Sequence, residues 1–403
     1  MHTVVLTSIP LSLYIHIPWC VKKCPYCDFN SHAIKDGIPE EAYIETLLRD
    51  LTQDLPLVQN RPIKSIFLGG GTPSLFSPKS IERIINHAQS LLKFQPDIEI
   101  TMEANPGTVE HKSFSDYRLA GITRISLGAQ SFQDDKLLKL GRIHKADETK
   151  RAIELISFAN FKSFNIDLMY GLPNQSLEDA MFDLETALNF SPPHISWYHL
   201  TIEPNTIFHH EKPPLPPDED IADMQAAGFK LLQSKGLDQY EVSAFAKPDH
   251  QCQHNLNYWE FGDYLGIGAG AHAKITDAKE NTITRFWKTR YPKSYLNPNY
   301  PFLAGSNIIS PTELSLEFML NSLRLMDGIS IEYFEKRTGL SIDKILPILE
   351  KAILLDFLAM DNGKIIPTER GKNFLNDLLE LFLPKSGSKI AKETVIEEIF
   401  IER

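Results

Sequence analysis

Tyr14-Ile-His-Ile-Pro-Trp-Cys20-Val-Lys-Lys-Cys24-Pro-Tyr26-Cys27-Asp-Phe29-Asn-Ser31 is the stretch on which the reading of this chain turns. It holds three of the four cysteines, spaced C-x3-C-x2-C. The apolar run Leu13 to Ile17 just before them predicts a short β-strand, which places the thiols on a loop at the strand's end. A closed structural zinc site takes four ligands, and an electron-transfer [4Fe–4S] cluster also takes four cysteines. Three thiolates leave one metal position open, and an open iron can chelate a small molecule through an amine and a carboxylate. From these residues alone two other readings stand: a zinc knuckle completed by His16 or His32, and three unrelated thiols. Disulfides are not expected, because the thiols crowd one loop and the segment Met1 to Pro10 lacks the basic residues of a signal peptide.

The 403 residues are enough for a large core and two domains. Hydrophobic content of 42% and charged content of 23% are those of an ordinary globular protein. A net charge of −11 disfavours broad electrostatic binding to nucleic acid. No apolar run approaches the roughly 20 residues of a membrane span. The expectation is a cytoplasmic protein that is not integral to the membrane and meets it only peripherally, through partners.

Strand and helix patterns alternate after the cysteine loop. Strands are expected at 63–68, 98–102, 123–127, 164–168 and 194–200, and helices at 39–55, 78–94, 111–120, 134–140, 146–160 and 177–188. That makes six βα-type units, short of the eight of a full barrel. The expected fold is α/β: a partial (β/α)6 TIM-like barrel with right-handed crossovers. Each polar or glycine cluster falls just after a strand: the cysteines, Gly69-Gly70-Gly71-Thr72, Glu103, Gln130 and Asp167. In a parallel barrel those strand ends face one mouth, so a single site would collect them. The glycine run lacks the spacing of a phosphate loop.

Pro213-Pro-Leu-Pro-Pro217 is a stiff connector. A helix at 218–235 and a strand at 240–245 follow. The glycines of Gly266-Ile-Gly-Ala-Gly270 imply close backbone packing against another element or a ligand. Helices at 311–325, 331–338 and 342–351, then a hairpin turning at Asn362-Gly363, predict a mainly helical winged-helix-like module without a basic recognition helix. Residues 385–392 are expected to be flexible, with a terminal helix at 393–402. The domains expected are 1–212, the barrel; 213–305, its extension and a connecting region; and 306–403, the winged-helix-like domain.

The cysteine spacing with Tyr26 resembles the signature of radical S-adenosylmethionine (SAM) proteins. The motifs from Tyr14-Ile-His-Ile-Pro through Glu103-Ala-Asn-Pro-Gly-Thr, Leu140-Gly-Arg-Ile-His144 and Asp167-Leu-Met-Tyr-Gly-Leu-Pro173 to Glu317-Phe-Met-Leu-Asn321 resemble the coproporphyrinogen III dehydrogenase-like family, most closely its branch of HemW-type heme chaperones. The resemblance implies that Cys20, Cys24 and Cys27 bind a [4Fe–4S] cluster. It also implies that Tyr14, Tyr26, Gly70, Gly71, Thr72, Glu103, Gln130, Arg142 and Asp167 line a SAM site. The dehydrogenases of the family resemble one another in a further cysteine two residues after the third and in a longer segment ahead of it. Here Phe29 takes that position and 19 residues precede Cys20. Both departures point to the chaperone branch, whose His-Asn-x-x-Tyr motif is matched by His254-Asn-Leu-Asn-Tyr258. His and Tyr are both axial ligand types for heme iron. The function implied is binding of the cluster, SAM and heme, and delivery of heme to acceptors such as membrane respiratory enzymes, by a chain that dimerises with its cluster. The alternative is oxygen-independent decarboxylation of coproporphyrinogen III.

Overall fold

In the computed structural model of the chain, residues 9–108 and 113–384 are described. The expectations for residues 111–112, 385–392 and 393–402 lie outside them.

Six strands run parallel in chain order: β1 (Leu11–Ile17), β2 (Ile63–Gly70), β3 (Phe94–Ala104), β4 (Arg124–Gln130), β5 (Ser163–Tyr170) and β6 (His194–His199). Helices Glu40–Val58, Pro78–Leu91, Ala146–Ala159 and Leu177–Leu188 are among the crossovers. Their ends carry local signals. Ser176 accepts from the Asp179 N–H and the Asp179 carboxylate accepts from the Ser176 N–H, a reciprocal cap. The helix expected at 78–94 ends at Leu91, and Phe94 already belongs to β3.

The pleat sorts each strand's residues between two faces. In β1, Leu11, Leu13, Ile15 and Ile17 are fully buried in the core that also holds Tyr43, Ile44 and Leu47 of the first helix. Ser12, Tyr14 and His16 point the other way, into the barrel. In the same manner Ile125, Leu127, Ile166, Leu168, Ile195 and Trp197 pack outward in that core. Ser126, Asn165, Asp167 and Ser196 hydrogen-bond one another inside. The lumen is therefore polar, and its partners are supplied across strands.

The chain then adds β7 (Asp238–Glu241), β8 (Ala244–Ala246), β9 (Asp263–Ile267), β10 (His272–Asp277), β11 (Thr282–Lys288) and β12 (Leu303–Ile308). The result is one open twelve-stranded sheet in the order β12-β11-β10-β9-β1-β2-β3-β4-β5-β6-β8-β7. The partial barrel is present and gains a seventh parallel strand, since β9 lies beside β1 with Tyr14 opposite Gly266. The glycines of this stretch hide the strand from a hydrophobic pattern. A Cβ on Gly266 would lie 1.8 Å from the His272 carbonyl oxygen, so a side chain is excluded there. The single strand expected at 240–245 is two strands, β7 and β8, because the chain turns at residues 242–243 and Ser243 O accepts the Trp197 N–H at 2.8 Å.

Helices Pro311–Ser322, Ile331–Thr338 and Leu346–Leu354 and a hairpin of Leu358–Asp361 with Lys364–Pro367 form the C-terminal module. The helix expected at 342–351 starts four residues late. Residues Ile342–Lys344 form a 3₁₀ turn, and Pro347 sits in the first turn of the helix that follows. A second apolar core, around Phe318, Phe334, Leu349 and Ile365, fills the module. It is tied to the sheet by the Arg285–Glu317 ion pair at 2.9 Å and by Phe261 against Phe318. Among the described residues no helix is long and apolar enough to cross a membrane.

Helix Asp218–Ser234 crosses the outside of β6 at Gly228, where a Cβ would come within 1.9 Å of the Trp197 ring. Gly228→Ala is expected to destabilise the protein by about 1–3 kcal/mol through overpacking, read as a lower melting temperature. An unchanged melting temperature would show that this crossing has room to spare.

Candidate functional site

The cysteine loop leaves the carboxyl end of β1 and is closed at its base by backbone bonds. The two-residue strands Trp19–Cys20 and His32–Ala33 run parallel, and the His32 N–H donates to Pro18 O at 2.7 Å. All four cysteines are free thiols; Cys20, Cys24 and Cys27 are half-buried and Cys252 is buried. Burial raises the Cys20 thiol, against hydroxyl groups of Thr72 and Ser31 beside it. Burial likewise pushes Cys27 up to about 11. The Arg142 guanidinium lies 3.8 Å from Cys24 Sγ and donates to Gly128 O at 2.8 Å. Burial works against its charge, but Tyr26 and Cys24 outweigh it and hold the guanidinium above its ordinary value.

The donor set fits an iron–sulfur cubane better than a single ion. Among the described residues no three His, Cys, Asp or Glu side chains converge closely enough to hold one metal ion, whereas a cubane binds each of its cysteines at a different iron. Of the two suggested fourth zinc ligands, His16 has both ring nitrogens engaged, by Tyr14 and by Asn30 O, while His32 Nε2 is buried without a hydrogen-bond partner. The hydroxyl and guanidinium donors around the thiols are the kind that tune cluster potentials.

The residues expected after the other strands meet at the same mouth. The Gly70 N–H donates to Glu103 Oε2 at 3.1 Å, while the Gly71 and Thr72 N–H groups donate to Ile17 O and Trp19 O. Gly70 has φ +108 and lies against the His16 ring, where a Cβ would stand 2.3 Å from the nearest ring carbon, so only glycine fits. Asp167 accepts from Ser126 Oγ at 3.0 Å and Asn165 Nδ2 at 2.7 Å. Gln130 sits at a register shift in β4 with φ +69, and its Oε1 accepts from the Tyr198 hydroxyl at 2.8 Å. A bulge with a strained non-glycine residue is a common way to re-aim a side chain at a functional site. The Tyr26 ring, 6.3 Å from Phe208, closes the side formed by the short helix Ile207–Glu211.

Two half-buried carboxyls thus lie close enough to influence one another. Burial pushes Glu103 up to about 8, helped by the nearby Asp167 and opposed by the Gly70 N–H. Asp167 is also raised by burial, against the hydrogen bonds it accepts. An opposite charge placed beside either carboxyl would lower it.

His254 and Tyr258 lie elsewhere, at the amino ends of the strands. Helix Gln253–Trp259 packs beneath the lumen; His254 is 1% exposed, bonded through Nδ1 to Ser65 Oγ and through Nε2 to the Tyr258 hydroxyl, both at 3.0 Å. Burial alone lowers His254 to about 3, so the ring is neutral. Cys252 belongs to the same floor, its thiol 3.6 Å from Glu99 Oε1. Sequence reasoning passed over Tyr198, Asn165, Ser126 and Asn30. The alternation His194, Ser196, Tyr198 along β6 was the available signal for the first of them.

Residues 14–187 match the radical SAM superfamily, and residues 309–374 match the HemN C-terminal domain. The heme chaperone HemW of Haemophilus influenzae is 52% identical over 378 residues, which cover 93% of this chain and 98% of that protein. The chain belongs to the HemW family of heme chaperones. The Escherichia coli member is 51% identical over 374 residues, covering 93% of this chain and 98% of that one. The Bacillus subtilis member is 31% identical over 378 residues, with 92% and 99% coverage. In three dimensions the chain resembles the radical SAM enzyme coproporphyrinogen III oxidase, HemN, of Escherichia coli, with a TM-score of 0.79 at 22% identity over 94% of this chain and 92% of that one. At that identity the likeness establishes a common fold.

The raised Glu103 has a consequence for stability. The folded state holds its proton up to about pH 8 while an unfolded carboxyl releases it at its ordinary value, so wild-type stability falls as pH rises through that window. Glu103→Gln is expected to flatten this slope between pH 5 and 8, seen as a melting temperature that gains on wild type as pH rises. Parallel curves for the two proteins would remove the buried-carboxyl account.

Proposed function

We propose that this chain is a heme chaperone that holds a [4Fe–4S] cluster on Cys20, Cys24 and Cys27, binds SAM at the same mouth, and passes heme to acceptor proteins, membrane respiratory enzymes among them. The observation that carries the SAM part is the pairing of half-buried Glu103 and Asp167, both raised above ordinary carboxyl values, with Arg142 beside the thiols. Glu103 and Tyr14 suit an ammonium group, Arg142 suits a carboxylate, and Asp167 and Gln130 suit ribose hydroxyls. With their N–H groups already engaged, Gly70, Gly71 and Thr72 would meet an amine through carbonyl oxygens. Tyr26 would flank an adenine. When bound, a cluster with SAM supplies one-electron chemistry; the chain's own part is to orient the ligand, neutralise its charges and keep water out.

Heme ligation by His254 or Tyr258 carries a condition. Both ring nitrogens of His254 are occupied and the ring is buried, so helix Gln253–Trp259 must move before iron can reach it. The second reading, oxidative decarboxylation of coproporphyrinogen III, draws on the HemN-like fold. Phe29, which stands where the dehydrogenases have their further cysteine, weighs against it.

The test is anaerobic reconstitution followed by parallel additions of heme and of coproporphyrinogen III with SAM and dithionite. Heme retained without porphyrinogen turnover is the expected outcome; turnover without heme retention would reverse the two readings. His254→Ala and Tyr258→Phe are expected to alter the heme absorption band, and an unchanged band in both would place the ligand elsewhere. SAM binding is expected to release a proton from Glu103 and to weaken by up to about tenfold per pH unit below the Glu103 value. Calorimetry in buffers of different ionisation enthalpy reads that proton directly, and its absence would mean that Glu103 does not meet the ammonium.

A further inference from the structure

We propose that Asn30 is a positioning residue whose side chain fixes the end of the cysteine loop and whose backbone carbonyl, through His16, sets the hydrogen-bond polarity of Tyr14, so that one residue links the cluster loop to the ligand pocket. This rests on the cluster and SAM reading above.

Asn30 ends the cysteine loop, three residues after Cys27. Its Nδ2 donates to Ala269 O at 2.9 Å and to Arg290 O at 3.0 Å, and its Oδ1 accepts from Arg290 Nε at 3.0 Å. All the hydrogen-bonding capacity of the amide nitrogen is thereby spent on the sheet extension beyond β9. These partners lie about 240 to 260 residues away in sequence, so the extension, not the loop itself, holds this end of the loop. Gly270 makes room for the contact. Its φ is +83, and a Cβ there would come within 2.1 Å of Asn30 Nδ2.

The Asn30 backbone carbonyl accepts from His16 Nε2 at 2.9 Å. A carbonyl only accepts, so Nε2 carries the ring proton and Nδ1 is left as an acceptor. The Tyr14 hydroxyl, 3.0 Å from Nδ1, must then donate to it. Tyr14 is left presenting oxygen lone pairs to the lumen, the polarity an ammonium group needs. If the loop end shifts, His16 loses the acceptor that sets its tautomer, and Tyr14 is free to turn its proton toward the ligand. Groups that orient a metal ligand commonly change metal affinity by about 10–100-fold when removed, and Asn30 acts on the loop in that sense.

The experiment compares Asn30→Ala and Asn30→Asp with Gln59→Ala in the full-length, anaerobically reconstituted protein. Gln59 Nε2 donates to Thr276 O at 2.9 Å, a tie between barrel and extension remote from the loop. Three quantities are measured: the rate of iron loss to a chelator, the change that SAM produces in the electron paramagnetic resonance spectrum of the reduced cluster, and the melting temperature without cluster. Both Asn30 variants are expected to lose iron about tenfold faster or more and to show a diminished SAM-dependent spectral change. Their melting temperatures should match that of Gln59→Ala, which keeps wild-type iron retention. Wild-type iron retention and an intact SAM response in the Asn30 variants would overturn the inference, as would equal iron loss in Gln59→Ala. Failure of the wild-type protein itself to take up iron would overturn the cluster reading and this inference together.

Discussion

The structure depends on the strict alternation of the pleat in a parallel sheet whose inner face is polar. Parallel strands buried on both sides ordinarily read as continuous apolar runs. Here Ser12, Tyr14 and His16 of β1, Ser126 of β4, Asn165 and Asp167 of β5 and His194, Ser196 and Tyr198 of β6 alternate toward the lumen, while the intervening Leu, Ile and Trp residues seal the sheet against its helices. A polar group taken out of water must find a partner. In this lumen many partners come from the next strand, as where Asn165 of β5 bonds Ser126 of β4 and His194 of β6. Register therefore matters twice, for packing outside and for hydrogen bonding within.

Three groups near the mouth of that arrangement stand out. Burial raises both Glu103 and Asp167, against the hydrogen bonds that each accepts. Arg142 Nε is buried without a hydrogen-bond partner beside the thiols. These residues stand at the carboxyl ends of the strands or on the loops that follow them, where parallel barrels of this general class build their sites. The amino ends are plugged by helix Gln253–Trp259, whose His254 and Tyr258 satisfy one another.

Much of this was legible in the sequence. The six strand–helix units, the cysteine loop, the polar strand ends and the hairpin at Asn362-Gly363 all carry local signals, and the structure places them as those signals imply. What was not legible depends on contacts distant in the chain. β9 was hidden because Gly266, required by the His272 backbone, and the glycines just after the strand interrupt the hydrophobic pattern. The split at residues 242–243 arises because Trp197, more than forty residues earlier, takes the Ser243 carbonyl.

The sequence by itself determined the donor set: three thiols on one loop, an aromatic beside them, and two carboxyls that the structure places not after strands, as expected, but within the carboxyl-terminal halves of β3 and β5. Spacing along the chain is enough for this, because residues a few positions apart on one loop cannot be far apart in space. Only the tertiary structure decided which groups face one another and in what state. The proximity of Glu103 to Asp167, the tautomer of His16, the burial of His254 and the hold of Arg290 on Asn30 each depend on how strands, a helix and loops come together. Those distances, and the desolvation that shifts the charges, exist only once the sheet has curved around its polar face.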